Sequence, residues 1–145
     1  MRSKFKAIKT ISRIHWYIYR ISRGRVGKQL GKLSILLLTT TGRKSGKKRS
    51  VPLTAIPYGI RYILVASFGG SPVHPAWLIN IRQNPAVQIR VGSMVTQAKA
   101  SIIETTDTGY AEMWGKAIAI YGGYDDYRRA TSRHIPIVVI TPHEV

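Results

Sequence analysis

The chain contains no cysteine. That excludes a disulfide framework, a thiolate nucleophile and a thiolate-held metal. Acidic residues are scarce and unevenly placed. Residues 1–103 carry 19 Lys or Arg and no Asp or Glu, whereas residues 104–145 carry 4 basic and 6 acidic residues. Those contributions of +19 and −2 give the net charge of +17. Hydrolysis by paired carboxylates, or a triad oriented by one, would have to draw every acid from the last third of the chain. Long apolar runs are missing too. Runs such as Ile35 to Leu38 are far short of the roughly 18–20 residues of a membrane span. Lys9 and Arg13 interrupt Ile8, Ile11 and Ile14, which is unlike a cleaved leader. His15, His74, His134 and His143 lack metal-ligand spacing, so no metal is expected. By default these absences point to the cytoplasm.

What is present suits one domain over residues 1–145, with 44% hydrophobic residues to build a core. A field this positive favours an anionic partner. The candidates are nucleic acid, an anionic bilayer surface, a phosphorylated cofactor and a carboxylate-rich ligand. The basic residues are spread along the chain and match no nucleic-acid motif, so nucleic acid is not expected.

Phe5, Ile8, Ile11, Ile14, Ile18 and Ile21 recur at helical spacing and predict an amphipathic helix over residues 3–22. Lys4, Lys6, Lys9, Arg13 and Arg20 lie on its wetter side. The helix can pack on the barrel, and it can also touch anionic lipid at the inner face of the cell membrane. Gly24 to Gly31 reads as a connection. Ile35 to Thr41 is a continuous β-type run, predicting a buried strand. A turn follows over 42–48, then strands over 49–58 and 60–68. Pro75 opens a helix that runs to about Gln83 and stops at Asn84-Pro85. Strands over 87–91 and 95–103 flank a Gly92-Ser93 hairpin. Thr106 is expected to cap a helix through Ile120, with Asp107 in its first turn. Residues 124–133 read as a second helical piece. Ile135 to Thr141 reads as an edge or barrel strand, because Pro136 cannot donate a ladder bond. The sum is an α+β chain around a mainly antiparallel barrel.

Three segments carry candidate chemistry. Gly42-Arg43-Lys44-Ser45-Gly46-Lys47-Lys48-Arg49 is a dense cationic turn that is not a Walker A loop, since no Ser or Thr follows Lys47. Ala66-Ser67-Phe68-Gly69-Gly70-Ser71 runs into His74-Pro75-Ala76-Trp77. Its small residues let a flat ring or phosphate approach the main chain, and a helix start follows. Tyr121-Gly122-Gly123-Tyr124-Asp125-Asp126-Tyr127 sets three phenols at a spacing of three. A phenol gives an apolar wall with a polar tip, and it can donate a hydrogen bond to an oxygen that gains charge. Ser67 has no carboxylate nearby in sequence, which argues against a serine hydrolase.

In order and spacing these segments resemble the deazaflavin-dependent nitroreductases, also described as F420H2-dependent quinone reductases. The resemblance runs from Leu36-Leu37-Leu38-Thr39-Thr40-Thr41-Gly42-Arg43-Lys44-Ser45-Gly46 through Arg49, Pro52-Leu53, Ala66-Ser67, Gly69-Gly70, His74-Pro75-Ala76-Trp77, Asn80 and Asn84-Pro85. It ends with the Tyr121–Tyr127 cluster, Arg133 and Ile135-Pro136-Ile137-Val138-Val139, and so spans roughly residues 20–142. It implies a split β-barrel over 34–142 with inserted helices, akin to flavin-binding oxidases. It also implies the coenzyme F-420, a deazaflavin with a phosphodiester and a polyglutamate tail. By this resemblance Lys44, Ser45 and Arg49, assisted by Arg43, hold the phosphate and acidic tail. Val65, Ala66 and Ser67 line the ring, and Gly70, Pro75 and Trp77 complete its cradle. Tyr121, Tyr124 and Tyr127 lie on the acceptor side and, with Ser67, are the candidate catalytic residues. The acceptor implied is a quinone, a nitro compound or an enone.

An acid-free, cationic barrel suits so anionic a coenzyme. The hydride chemistry belongs to the coenzyme, so no triad is required of the protein. Thr54, Phe68 and Leu78 depart from residues common in that family and border the ring and acceptor pocket. They bear on the acceptor more than on the coenzyme. The competing expectation within the same fold is a binding or carrier protein for FMN, haem or a fatty acid.

Overall fold

The computed structural model describes residues 29–30 and 33–143. The helix expected over residues 3–22 lies outside them. Eight strands form one curled sheet: β1 (Gln29–Leu30), β2 (Leu33–Thr41), β3 (Lys48–Thr54), β4 (Ile56–Tyr58), β5 (Arg61–Val65), β6 (Ala86–Val91), β7 (Met94–Ile103) and β8 (Ile137–Pro142). Every pairing is antiparallel. The path runs β1-β2-β6-β7-β8-β5-β4, with β3 also paired to β2. Among the described residues three α-helices accompany the sheet: α1 (Ala76–Gln83), α2 (Tyr110–Ile120) and α3 (Gly123–Arg129). This is the expected split-barrel arrangement.

Alternation in the central strands explains their unbroken apolar sequence. In β5, Leu64 joins one core cluster with Leu36, Leu38, Leu78 and Ile81. Its neighbours Ile63 and Val65 join a second cluster with Trp114, Tyr124 and Ile135. In β8, Val138 and Ile140 face the first cluster and Ile137 the second. A strand covered on both faces has no polar side to display. The first cluster fills the barrel beneath α1, and the second seats α2 and α3 on the outside.

Several sequence expectations need correction. The connection over Gly24–Gly31 contains the short β1, which pairs with the start of β2. The strand expected over 49–58 breaks at Ala55, whose N–H turns to the carbonyl of Ser34. Thr106 caps no helix. Instead the Asp107 carboxylate accepts from the Glu104 N–H at 2.7 Å, closing a local turn that delays α2 until Tyr110. Gly109, at φ 90°, is the N-cap there. The second helical piece ends at Arg129 rather than 133. Of the two readings of Ile135 to Thr141, the barrel strand holds: β8 lies between β5 and β7. Pro136 sits just before it and still serves as an acceptor, from the Ala66 N–H.

Candidate functional site

One cavity of about 1120 Å³ opens between β2–β3, the segment after β5, the start of α1 and the tyrosines of α2–α3. It collects the three segments that the sequence singled out. Arg43, Lys44, Ser45 and Arg49 line one end. Val65, Ser67, Pro75 and Trp77 line the middle, and Tyr121, Tyr124 and Tyr127 the far wall. Ala66 and Gly70 are not among the lining residues. Both are buried and lie behind the wall.

The cationic end is built on a hairpin. Gly42 and Lys47 close it (N to O, 2.8 Å), and Gly46 takes φ 71°. Asn80 of α1, only 4% exposed, pins this turn to the barrel. Its Oδ1 accepts from the Arg43 N–H and from Arg43 Nη1, both at 3.2 Å, and its Nδ2 donates to Thr40 Oγ1 at 3.1 Å. No carboxylate lines the cavity. The ion pairs among the described residues join Arg82–Glu104, Arg128–Asp125 and Arg129–Asp126, all outside it. Arg43, Lys44 and Arg49 thus line the cavity with no carboxylate partner among the described residues.

The middle wall includes a left-handed turn. Phe68, Gly69 and Gly70 have φ of 46°, 63° and 81° in succession. Glycine tolerates this region, whereas a bulky side chain such as Phe68 is strained there. Gly70 has a second constraint, because a Cβ would stand 3.0 Å from Ala130 Cβ and 3.1 Å from the Tyr127 carbonyl. The glycine thus lets the turn press against the end of α3. Arg133 ties the turn on both sides: Nη2 donates to the carbonyls of Ala66 (3.1 Å) and Ser67 (2.8 Å), and Nε to that of Ser71 (2.8 Å).

The tyrosine wall depends on Gly123, the first residue of α3. A Cβ at Gly123 would collide with the Tyr121 ring, so only glycine lets that ring fold over the start of α3. Tyr121 and Tyr124 meet edge to face with centroids 5.1 Å apart, a favourable aromatic geometry. The Tyr121 and Tyr127 hydroxyls are hydrogen-bonded at 3.0 Å. Tyr124 is mostly buried and bonded to Thr54; desolvation holds its phenol up at about 12. Tyr127 is likewise pushed up to about 12, by desolvation first and then by its hydrogen bond to Tyr121. Both phenols stay protonated at neutral pH and can donate. Behind them Trp114 Nε1 donates to Asp125 at 2.9 Å, and Tyr110 donates to the Ile135 carbonyl at 2.6 Å. These bonds hold α2 and α3 against β8.

Asn80, Arg133 and His74 are the site residues that sequence reasoning did not assign. Asn80 and Arg133 act on partners 37–67 positions away, a relation that no local pattern displays. Their signal was weak: a polar residue on the apolar side of α1, and an arginine four positions before a mostly buried strand.

The sequence profile of the F420H(2)-dependent quinone reductase family matches residues 11–142. An F420H(2)-dependent quinone reductase of Mycobacterium tuberculosis is 39% identical over 131 residues, covering 89% of this chain and 88% of that protein. The solved structure of an F420-H2 dependent reductase superposes with a TM-score of 0.65 at 39% identity, covering 73% of this chain and 92% of that one. A heme storage protein from Vibrio cholerae shares the fold alone, with a TM-score of 0.60 at 14% identity over 77% of this chain and 82% of that one.

Proposed function

Because the chain belongs to the F420H(2)-dependent quinone reductase family, we propose that its cavity holds coenzyme F-420 and that the tyrosine wall receives a quinone. The observation that carries this reading is the acid-free cavity itself, with three cations at one end and phenols at the other. Such a donor set fits a flat redox ring with an anionic tail. Arg43, Lys44, Ser45 and Arg49 bind the phosphate and carboxylates. Trp77, Pro75, Val65 and Ser67 enclose the ring and exclude water from it.

When bound, the reduced coenzyme supplies a hydride. The protein's own part is to orient the acceptor and manage one proton. Hydride uptake leaves negative charge on a quinone oxygen, and the Tyr127 hydroxyl donates a hydrogen bond to that oxygen and then its proton. The Tyr121 hydroxyl, 3.0 Å away, passes a proton to Tyr127 and takes one from solvent, so that the single proton consumed comes from water. Tyr124, held by Thr54, serves as a fixed apolar wall. The same arrangement accommodates a nitro compound or an enone, whose oxygens also gain charge on reduction.

Among the described residues no helix is long and apolar enough to cross a membrane. The sequence of residues 1–22 supports contact with an anionic membrane surface from the cytoplasmic side, where lipophilic quinones reside. Liposome sedimentation of the full chain against a chain lacking residues 1–22 tests this, and identical pelleting rejects it. The functional reading itself is tested by titrating the oxidised coenzyme and then measuring oxidation of its reduced form by menadione. Saturable binding with quinone-dependent turnover is expected. No turnover with any quinone, nitroaromatic or enone would overturn it.

A further inference from the structure

The Arg133 guanidinium has five N–H groups, and each meets one acceptor. Ala66, Ser67 and Ser71 carbonyls take three. The His134 carbonyl takes one from Nη1 at 3.3 Å. The last, also from Nη1, reaches His74 Nδ1 at 3.1 Å. No carboxylate takes part. A half-buried cation held by four carbonyls and one imidazole nitrogen uses all five donors, and lysine, with three donors on a single nitrogen, cannot reproduce this.

The contact with His74 has a chemical consequence. A guanidinium can only donate, so Nδ1 must accept, and the imidazole proton must sit on Nε2. His74 lines the cavity, and its Nε2 has no hydrogen-bond partner among the described residues. The charged groups facing it favour the neutral ring. Desolvation lowers its pKa first, then Arg133 and Arg82, against a smaller opposing pull from Glu104.

We propose that Arg133 is a positioning residue that locks His74 as the neutral Nε2–H tautomer, and that this N–H hydrogen-bonds an oxygen of the ligand held in the cavity. The inference rests on the coenzyme reading for the identity of that ligand. The tautomer lock stands on the protein alone. It adds a directional neutral donor to the cavity that Trp77 and the cationic turn also line. Arg43, Lys44 and Arg49 attract the tail by charge, while His74 supplies a contact with a fixed angle.

The test has two parts. First, ¹⁵N spectra of the full-length protein read the tautomer directly. The Nε2–H neutral signature is expected for His74 at neutral pH, with tautomer mixing in Arg133→Lys. An Nδ1–H signature, or an unchanged spectrum in a folded Arg133→Lys, would overturn the lock. Second, the oxidised coenzyme is titrated into His74→Phe and His74→Gln. Loss of one neutral hydrogen bond raises Kd about fivefold in the phenylalanine variant. Glutamine, whose amide nitrogen falls near the position of Nε2, restores affinity. Equal Kd in wild type and His74→Phe, or no recovery in His74→Gln, would overturn the ligand contact. Wild type that fails to bind the coenzyme at all would overturn the functional reading, and the ligand contact with it, leaving the ¹⁵N result to judge the lock.

Discussion

Replacing Asn80 by alanine should loosen the cationic turn and destabilise the fold together. Asn80 joins α1 to both β2 and the turn, through Thr40 Oγ1 and the Arg43 backbone and side chain. Truncation strands two groups. Thr40 is 1% exposed, so its hydroxyl loses a donor with no water at hand. The Arg43 N–H loses its acceptor at a part-buried position. Each stranded group costs about 1–3 kcal/mol. The Arg43 guanidinium is solvent-exposed and regains water, so its loss adds little. The total is about 2–6 kcal/mol, which lowers Tm by roughly 5–20 °C in a chain of this size. Asn80→Asp is the informative partner. Its carboxylate still accepts from Arg43 and from the Thr40 hydroxyl, but it puts a negative charge on the cavity wall. Stability should stay near wild type while affinity for the anionic coenzyme falls. Thermal unfolding and coenzyme titration on all three proteins separate the two effects. An Asn80→Ala protein with unchanged Tm would refute the assignment of Asn80 as the anchor of the turn.

Four further outcomes are expected. Lys44→Ala raises the coenzyme Kd about tenfold at low salt, the scale of one charge-assisted hydrogen bond, and the gap narrows as salt screens the charge; equal affinity would contradict this. Tyr127→Phe slows quinone reduction by about a hundredfold, the lower range for a general acid, and leaves coenzyme Kd nearly unchanged, whereas parallel loss of both would assign the phenol to binding instead. Gly70→Ala forces a Cβ onto the Tyr127 carbonyl at a residue with φ 81° and costs roughly 1–3 kcal/mol, visible as a lower denaturation midpoint. Tyr124 titrates at about 12 in the fold against 10.0 when free. Its contribution to stability is complete below pH 10 and is lost as pH rises toward 12, so Tyr124→Phe should flatten the alkaline decline, and an identical decline in both proteins would contradict it.

Much of this fold was legible in local pattern. The apolar run at Ile35–Leu38, the alternation in β6 and β7, and the Gly92-Ser93 turn specify strands and a hairpin directly. Helix starts were less legible. Thr106 and Asp107 have the chemistry of a cap, but Asp107 spends it on the Glu104 N–H, and the helix waits for Gly109. The cavity's lining was readable where residues of one segment act together, as at Arg43–Arg49 and Tyr121–Tyr127. It was unreadable where a residue works through distant main chain. Arg133 reaches Ala66 and Ser71 across more than sixty positions, and the strain it restrains, at Phe68, exists only once the turn has formed. Ala66 and Gly70 show the converse. Their sequence neighbours face the cavity, but strand alternation and the close approach of α3 turn these two residues away.

The most direct measurement is a titration of the wild-type protein with oxidised coenzyme F-420 at low and at high salt, beside a deazaflavin fragment lacking the phosphate and glutamates. A cationic turn that grips the tail predicts tight, salt-weakened binding of the whole coenzyme and weak, salt-insensitive binding of the fragment. Equal affinity for both, independent of salt, would contradict it.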